Sequence, residues 1–193
     1  MLEDLIISRV RVKILRLFLL NPSNIFHVRG IVRQTKEEIN AVRRELAHLE
    51  KRGLVSKEPR GNRLYYSFRK DYPLYYDLLS LVAKTTGLGA DLLKNKSKLG
   101  KIKYAMLSGR FIRGNVSGSE SVDLLIVGQK VVLPELSQII RAEEARRGQE
   151  LNYTVMTEDE FSFRKKRRDP FVLSILGGAR LMVIGDEEEL VEL

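Results

Sequence analysis

Two groups of residues in this chain have types and spacings that could do chemistry. The first is "SGRFIRG", Ser108 to Gly114, followed by "ESVDLLIV", Glu120 to Val127. A glycine turn flanked by guanidinium groups suits phosphate oxygens. Acids at i and i+2 of a strand share one face, which is how a D-x-D pair clamps two divalent cations about 3.5–4 Å apart for phosphoryl or nucleotidyl transfer. Asp123 supplies one such acid, but Ser121 stands where the other belongs, and Glu120 falls on the opposite face of an alternating strand. The next strand-like run offers only Asn152, Tyr153 and Thr154. Gly109, Arg110, Arg113 and Asp123 are therefore candidates for holding a nucleotide or polyphosphate, and no catalytic residue and no metal site are expected.

The second group is cationic. Lys36, Asn40, Arg43 and Arg44 recur along one helical run, and Arg60, Asn62 and Arg63 surround the turn "RGNR". Arginine pairs bidentately with a guanine edge and asparagine with adenine, and cations on a tight turn suit phosphates or a minor groove. These seven residues are the candidate contacts to double-stranded DNA. The competing reading is a solvated helix in which Arg43 pairs near Glu50 and Arg44 with Glu37.

The elements that must position these residues can be read in order. Ser8 caps a helix through "RVRVKILRLFLL", which "NPS" ends because Pro22 pushes Asn21 out of the helical region. A short helix is expected over about Val28–Gln34. Thr35 is expected to cap a third helix over about residues 35–52, with Glu38 at the capping-box position. Ile39, Val42, Leu46 and Leu49 form its buried stripe, and Gly53 stops it. "LVSKEPRGNRLYYSF", about residues 54–68, reads as a β-hairpin turning at Gly61-Asn62. Helices follow over about Pro73–Lys84 and through "ADLLKNKSKLG".

The second half alternates. Strands are expected at Lys103–Ser108, Val122–Val127, Leu151–Met156 and Arg180–Ile184. Helices are expected at Pro134–Arg147, Glu158–Arg168 and Pro170–Leu176. The fold class is α+β, divided into residues 1–84, a helical bridge at 85–100, and a small mixed α/β domain at 101–193.

Charge supports the same division. The net charge is +9. Residues 1–99 carry 20 Lys and Arg against 10 Asp and Glu, whereas residues 100–193 carry 14 against 15. The basic excess lies wholly in the first half and points to a polyanionic partner there. "RKKRR", Arg164–Arg168, sits beside the acidic Glu158–Glu160 and reads as a solvated face. With no cysteine, disulfides, thiol catalysis and Cys-based zinc sites are excluded, and His27 and His48 are the only histidines. Charged residues interrupt every long apolar run, and no signal peptide is evident, so no membrane partner and a cytoplasmic location are expected.

Residues 8–84 resemble the winged helix-turn-helix regulators of the ArsR-like group, most specifically in "INAVRRELAHLEKRGLV" and "RGNRLYYSF". The resemblance implies sequence-specific duplex binding by the third helix, with the hairpin as wing, in a transcriptional regulator acting as a homodimer. Residues 102–185 resemble the minimal nucleotidyltransferases, relatives of DNA polymerase beta and kanamycin nucleotidyltransferase. That family reads Phe-Gly-Ser-Arg-x-x-Gly and then Ser-Asp-x-Asp-Leu. Here Gly109, Gly114 and Asp123 match and Arg113 lies within the same motif at one of its unspecified positions, while Arg110 replaces the serine and Ser121 the first acid. The resemblance implies a nucleotidyltransferase-like domain without catalysis, serving dimerisation or nucleotide sensing. The alternative is a magnesium-dependent transferase moving AMP to protein or RNA.

Overall fold

In the computed structural model, residues 8–113 and 121–192 are described; Gly114 and Glu120 of the phosphate-type motif lie outside them. Helix predominates and the strands form two small sheets, which is compatible with the α+β class. No helix among the described residues is long and apolar enough to cross a membrane. The chain divides into two compact units, the first ending at Val82 and the second beginning at Ala83.

The first unit opens with α1 (Arg9–Leu20), where the Ser8 hydroxyl accepts the Arg11 N–H at 3.2 Å. It continues through β1 (Phe26–His27), α2 (Val28–Thr35), α3 (Ile39–Lys51), β2 (Val55–Arg60), β3 (Arg63–Phe68) and most of α4 (Tyr75–Thr85). Val12, Ile14, Leu15, Phe18 and Leu19 of α1 are buried with Ile31 of α2 and Val42, Leu46 and Leu49 of α3. Each such side chain contributes about 1.5–3 kcal/mol through removal from water. β2 and β3 pair from Val55↔Phe68 to Arg60↔Arg63, and β1 adds a third strand through Phe26↔Tyr66 and His27↔Tyr65. Gly61 takes φ +55 in the two-residue turn, a conformation that a Cβ would strain.

Two local expectations change. Thr35 does not cap α3: its hydroxyl turns inward and donates to the Ile31 carbonyl at 2.8 Å, ending α2 instead. Glu38 is the cap, its carboxylate accepting the Asn40 and Ala41 N–H groups at 2.8 and 2.9 Å. The third helix therefore starts at Ile39, four residues later than expected, and Lys36 lies in the preceding turn at φ 55. β1 is also new. A two-residue strand has no periodicity to read, and only its partner β3 defines it.

The second unit contains α5 (Gly87–Lys94), β4 (Lys101–Ser108), α6 (Gly109–Ile112), β5 (Leu124–Gln129), α7 (Leu133–Arg147) and β6 (Tyr153–Met156). It ends with α8 (Glu158–Lys166), α9 (Pro170–Gly177), β7 (Arg180–Ile184) and α10 (Glu187–Val191). The sheet order is β6-β5-β4-β7. β5 and β6 are parallel and joined by α7, whereas β4 is antiparallel to both β5 and β7. β5 is buried along Leu124–Gly128, consistent with its unbroken apolar sequence. α5 packs on α7, with Leu88 and Leu92 buried, so residues 87–94 belong to the body of this unit. An Arg146–Asp91 ion pair at 2.6 Å ties the same two helices.

Candidate nucleic-acid interface

The inner stripe of α3 fixes what faces outward. With Val42, Leu46 and Leu49 buried, Asn40, Arg43, Arg44, Ala47 and His48 are exposed. The helix and its approach also carry four acids, and each has a partner other than Arg43 and Arg44. Glu37 pairs with Lys13 of α1. Glu45 accepts from the Ser8 hydroxyl at 2.6 Å and from Arg11 at 2.8 Å. Glu50 pairs with Lys57 of β2 at 2.9 Å, and Glu38 caps the helix. Backbone N–H groups of Asn40 and Ala41 hold the Glu38 carboxyl below the usual carboxylate range, and the hydrogen bond to Glu50 holds the Lys57 ammonium above the usual lysine range. Among the described residues, Arg43 and Arg44 have no ion pair or hydrogen bond. The example partners of the solvated-helix reading, Glu37 and Glu50, are both engaged elsewhere.

The hairpin tip separates two arginines that the sequence treats alike. Arg60 is held by Glu58 through paired bonds of 2.9 and 2.9 Å, and its guanidinium lies 5.2 Å from the Tyr65 ring centroid. Arg63, directly across the pair, is exposed and has no ion pair among the described residues. Asn62 is exposed at the turn. A groove of about 680 Å³ runs between the helices and the hairpin, lined among others by His27, Arg29, Arg43, Asn62, Arg63 and Tyr66.

The structure thus brings together Arg43, Asn62 and Arg63 at this groove. Asn40 and Arg44 are exposed on the same helix, while Lys36 is exposed in the turn before it. Arg29 is a further cation of this groove that the sequence alone does not mark. His27 positions it: the His27 Nδ1 accepts the Gly30 N–H at 2.9 Å and caps α2, which sets Arg29 on the first turn. The β1–β3 pairing that sets His27 against Tyr65 cannot be seen in a two-residue strand.

The phosphate-type constellation is arranged differently. Ser108 caps the one-turn helix α6, accepting the Phe111 N–H at 3.2 Å. Gly109 donates its N–H to the Ala179 carbonyl at 2.6 Å, and a Cβ there would lie 2.8 Å from the Ala179 Cβ and 2.9 Å from its carbonyl oxygen. Packing against the Ala179 segment thus requires this glycine. Arg110 is exposed and Arg113 half-buried. Asp123 precedes β5 rather than standing within it, and is only 2% exposed. Its carboxylate accepts the Asn152 N–H at 3.0 Å, and its own N–H donates to the Asn152 carbonyl at 2.7 Å. This reciprocal pair ties the approach of β5 to that of β6 just ahead of their first ladder pair, Leu124↔Tyr153; β5 and β6 begin two residues later than expected.

The chain matches no protein-family model, no curated protein and no solved structure.

Proposed function

We propose that this protein is a sequence-specific double-stranded DNA-binding transcriptional regulator. Its first unit works as a winged helix, with α3 as recognition helix and β2–β3 as wing. The observation that carries the reading is the division of charge on α3. All four acids of residues 37–50 are engaged elsewhere, which leaves Arg43 and Arg44 exposed for an outside anion. The major groove admits a helix, and small Ala47 permits close approach. Lys36, Asn40, Asn62 and Arg63 extend the contact, with Arg60 as a buttress of the wing through Glu58.

The second unit is a nucleotidyltransferase-like shell serving dimerisation or the sensing of a nucleotide, with Arg110 and Arg113 as phosphate contacts. Two-metal transfer needs paired free carboxylates. Ser121 replaces one, and the Asp123 carboxylate serves as acceptor for a backbone amide. These residues do not fit a pair of magnesium ions.

Binding of duplexes selected from a genomic pool, followed by fluorescence anisotropy over a range of salt, tests the reading. Arg43→Ala or Arg44→Ala should cost about 1–3 kcal/mol on the preferred duplex and relax its sequence preference. Unchanged affinity and preference in both variants would remove α3 as the reader. Magnesium-dependent label transfer abolished by Asp123→Ala would instead establish the enzyme.

A further inference from the structure

α8 carries a surface that the DNA reading does not use. The Thr157 hydroxyl caps it by accepting the Glu160 N–H at 3.1 Å. One face is turned inward: Phe161 is buried, Glu158, Ser162 and Lys165 are half-buried, and the Lys165 ammonium donates to the Leu190 carbonyl at 3.0 Å. Asp159, Phe163 and Lys166 are exposed, Phe163 to 58%. At about 100° per residue these three fall within about 60° of arc, and Asp159 and Lys166 are about 10.5 Å apart along the axis. Among the described residues neither Asp159 nor Lys166 has an ion pair. The acid and base that do pair on this helix, Glu160 and Arg164 at 2.8 Å, lie to the other side of Phe163. The Arg167 guanidinium sits 4.8 Å from the Phe163 ring centroid.

Acids in the first turn and bases in the last also suit the helix macrodipole, and that accounts for the order of signs. It does not account for an aromatic ring more than half exposed between them.

We propose that this face docks a second copy of the chain, two α8 helices lying antiparallel about a two-fold axis beside Ser162 and Phe163. A two-fold interface must be complementary to itself. Acid, aromatic, base along one stripe meets that condition only when antiparallel, for Asp159 of each copy then faces Lys166 of the other. Phe163 packs at the centre against Phe163 of the second copy, and Arg167 borders the ring. A parallel arrangement would set acid on acid and base on base. The interface names the surface for the homodimer, and it stands independently of whether the first unit reads DNA.

The test is sedimentation equilibrium of the full chain without DNA, at low and high salt. The wild type should dimerise, less tightly as salt rises. Asp159→Lys alone sets base against base at both ends of the interface, and Lys166→Asp alone sets acid against acid at both. Each should weaken dimerisation by about tenfold or more. Mixing the two single variants in equal amounts should restore a dimer, because in the mixed dimer one facing pair is the original Lys166 with Asp159 and the other is the same pair with its charges exchanged, and the double variant should dimerise by itself. Phe163→Ala should weaken the dimer without altering the far-ultraviolet circular dichroism, since the ring is mostly in water in the single copy. A wild type that stays monomeric would overturn the proposal, and so would single variants that dimerise like the wild type. Anisotropy on the same samples keeps the two readings apart: dimers that ignore duplex DNA would sink the DNA reading alone.

Discussion

Arg60 and Arg63 flank one turn, and a sequence gives no reason to rank them. The structure ranks them by what they already hold. Arg60 must surrender its paired bonds to Glu58 before it can meet a phosphate, whereas Arg63 has nothing to surrender. Arg63→Ala should therefore weaken duplex binding several-fold and lower the slope of log affinity against log salt by about 1. Arg60→Ala should change both less. Anisotropy titrations of the two variants at several salt concentrations decide it, and equal losses would show that the Glu58 pair opens freely on DNA. Gly109 has a packing role beside the ligand contact expected of it. A Cβ at this position would meet the Ala179 segment, partly through backbone atoms that cannot swing away. Gly109→Ala should cost about 1–3 kcal/mol of stability as an overpacking change, read from urea unfolding of the full chain. A neutral result would mean that the Ala179 loop yields.

At the scale of elements, α3 depends on Glu38. Its carboxyl is held below the ordinary carboxylate value by the Asn40 and Ala41 N–H groups, so the folded state favours the ionised form. The contribution is present above the ordinary carboxylate range and is lost as pH falls through the depressed folded value. Glu38→Ala should lower the melting temperature near neutral pH, and the gap to wild type should close as pH falls from above the ordinary carboxylate range through the depressed folded value. A gap that persists in acid would mean that the side chain acts by packing rather than by its charge. This cap also marks where sequence reading stops. α1, the inner stripe of α3 and the hairpin are legible because Ser8, the three-four spacing of Val42, Leu46 and Leu49, and Gly61-Asn62 are local signals. Thr35 and Glu38 both carry capping chemistry, and only the fold decides which faces the helix start: Ile31 takes the Thr35 hydroxyl. β1, α6 and α10 are not legible, being too short to show a period. The reciprocal Asp123–Asn152 pair is hidden because its partners are 29 residues apart in sequence. Much of the candidate interface is legible as residue types, but which arginines are free and which are held is a tertiary fact.

At the scale of the molecule, the basic excess of residues 1–99 and the self-complementary stripe of α8 lie in different parts of the chain, the first chiefly in the first unit and the second wholly in the second. Recognition and assembly should then be separable by mutation. If α8 joins two chains, one duplex with two half-sites can engage both first units, and the second contact becomes intramolecular. Such linkage raises affinity without any new contact, by factors of about 10²–10⁴ where the geometry allows both to bind. Wild type should thus prefer a duplex carrying a pair of half-sites over one carrying a single half-site by about tenfold or more. Lys166→Asp should lose that preference while binding the single half-site as the wild type does, because residue 166 belongs to the second unit. Arg43→Ala should do the reverse, weakening single-site binding and leaving the dimer intact. Parallel anisotropy and sedimentation on the two variants would expose any coupling. If Lys166→Asp weakened the single half-site as much as the pair, the "RKKRR" run would be touching DNA itself, and α8 would belong to the nucleic-acid surface rather than to the dimer.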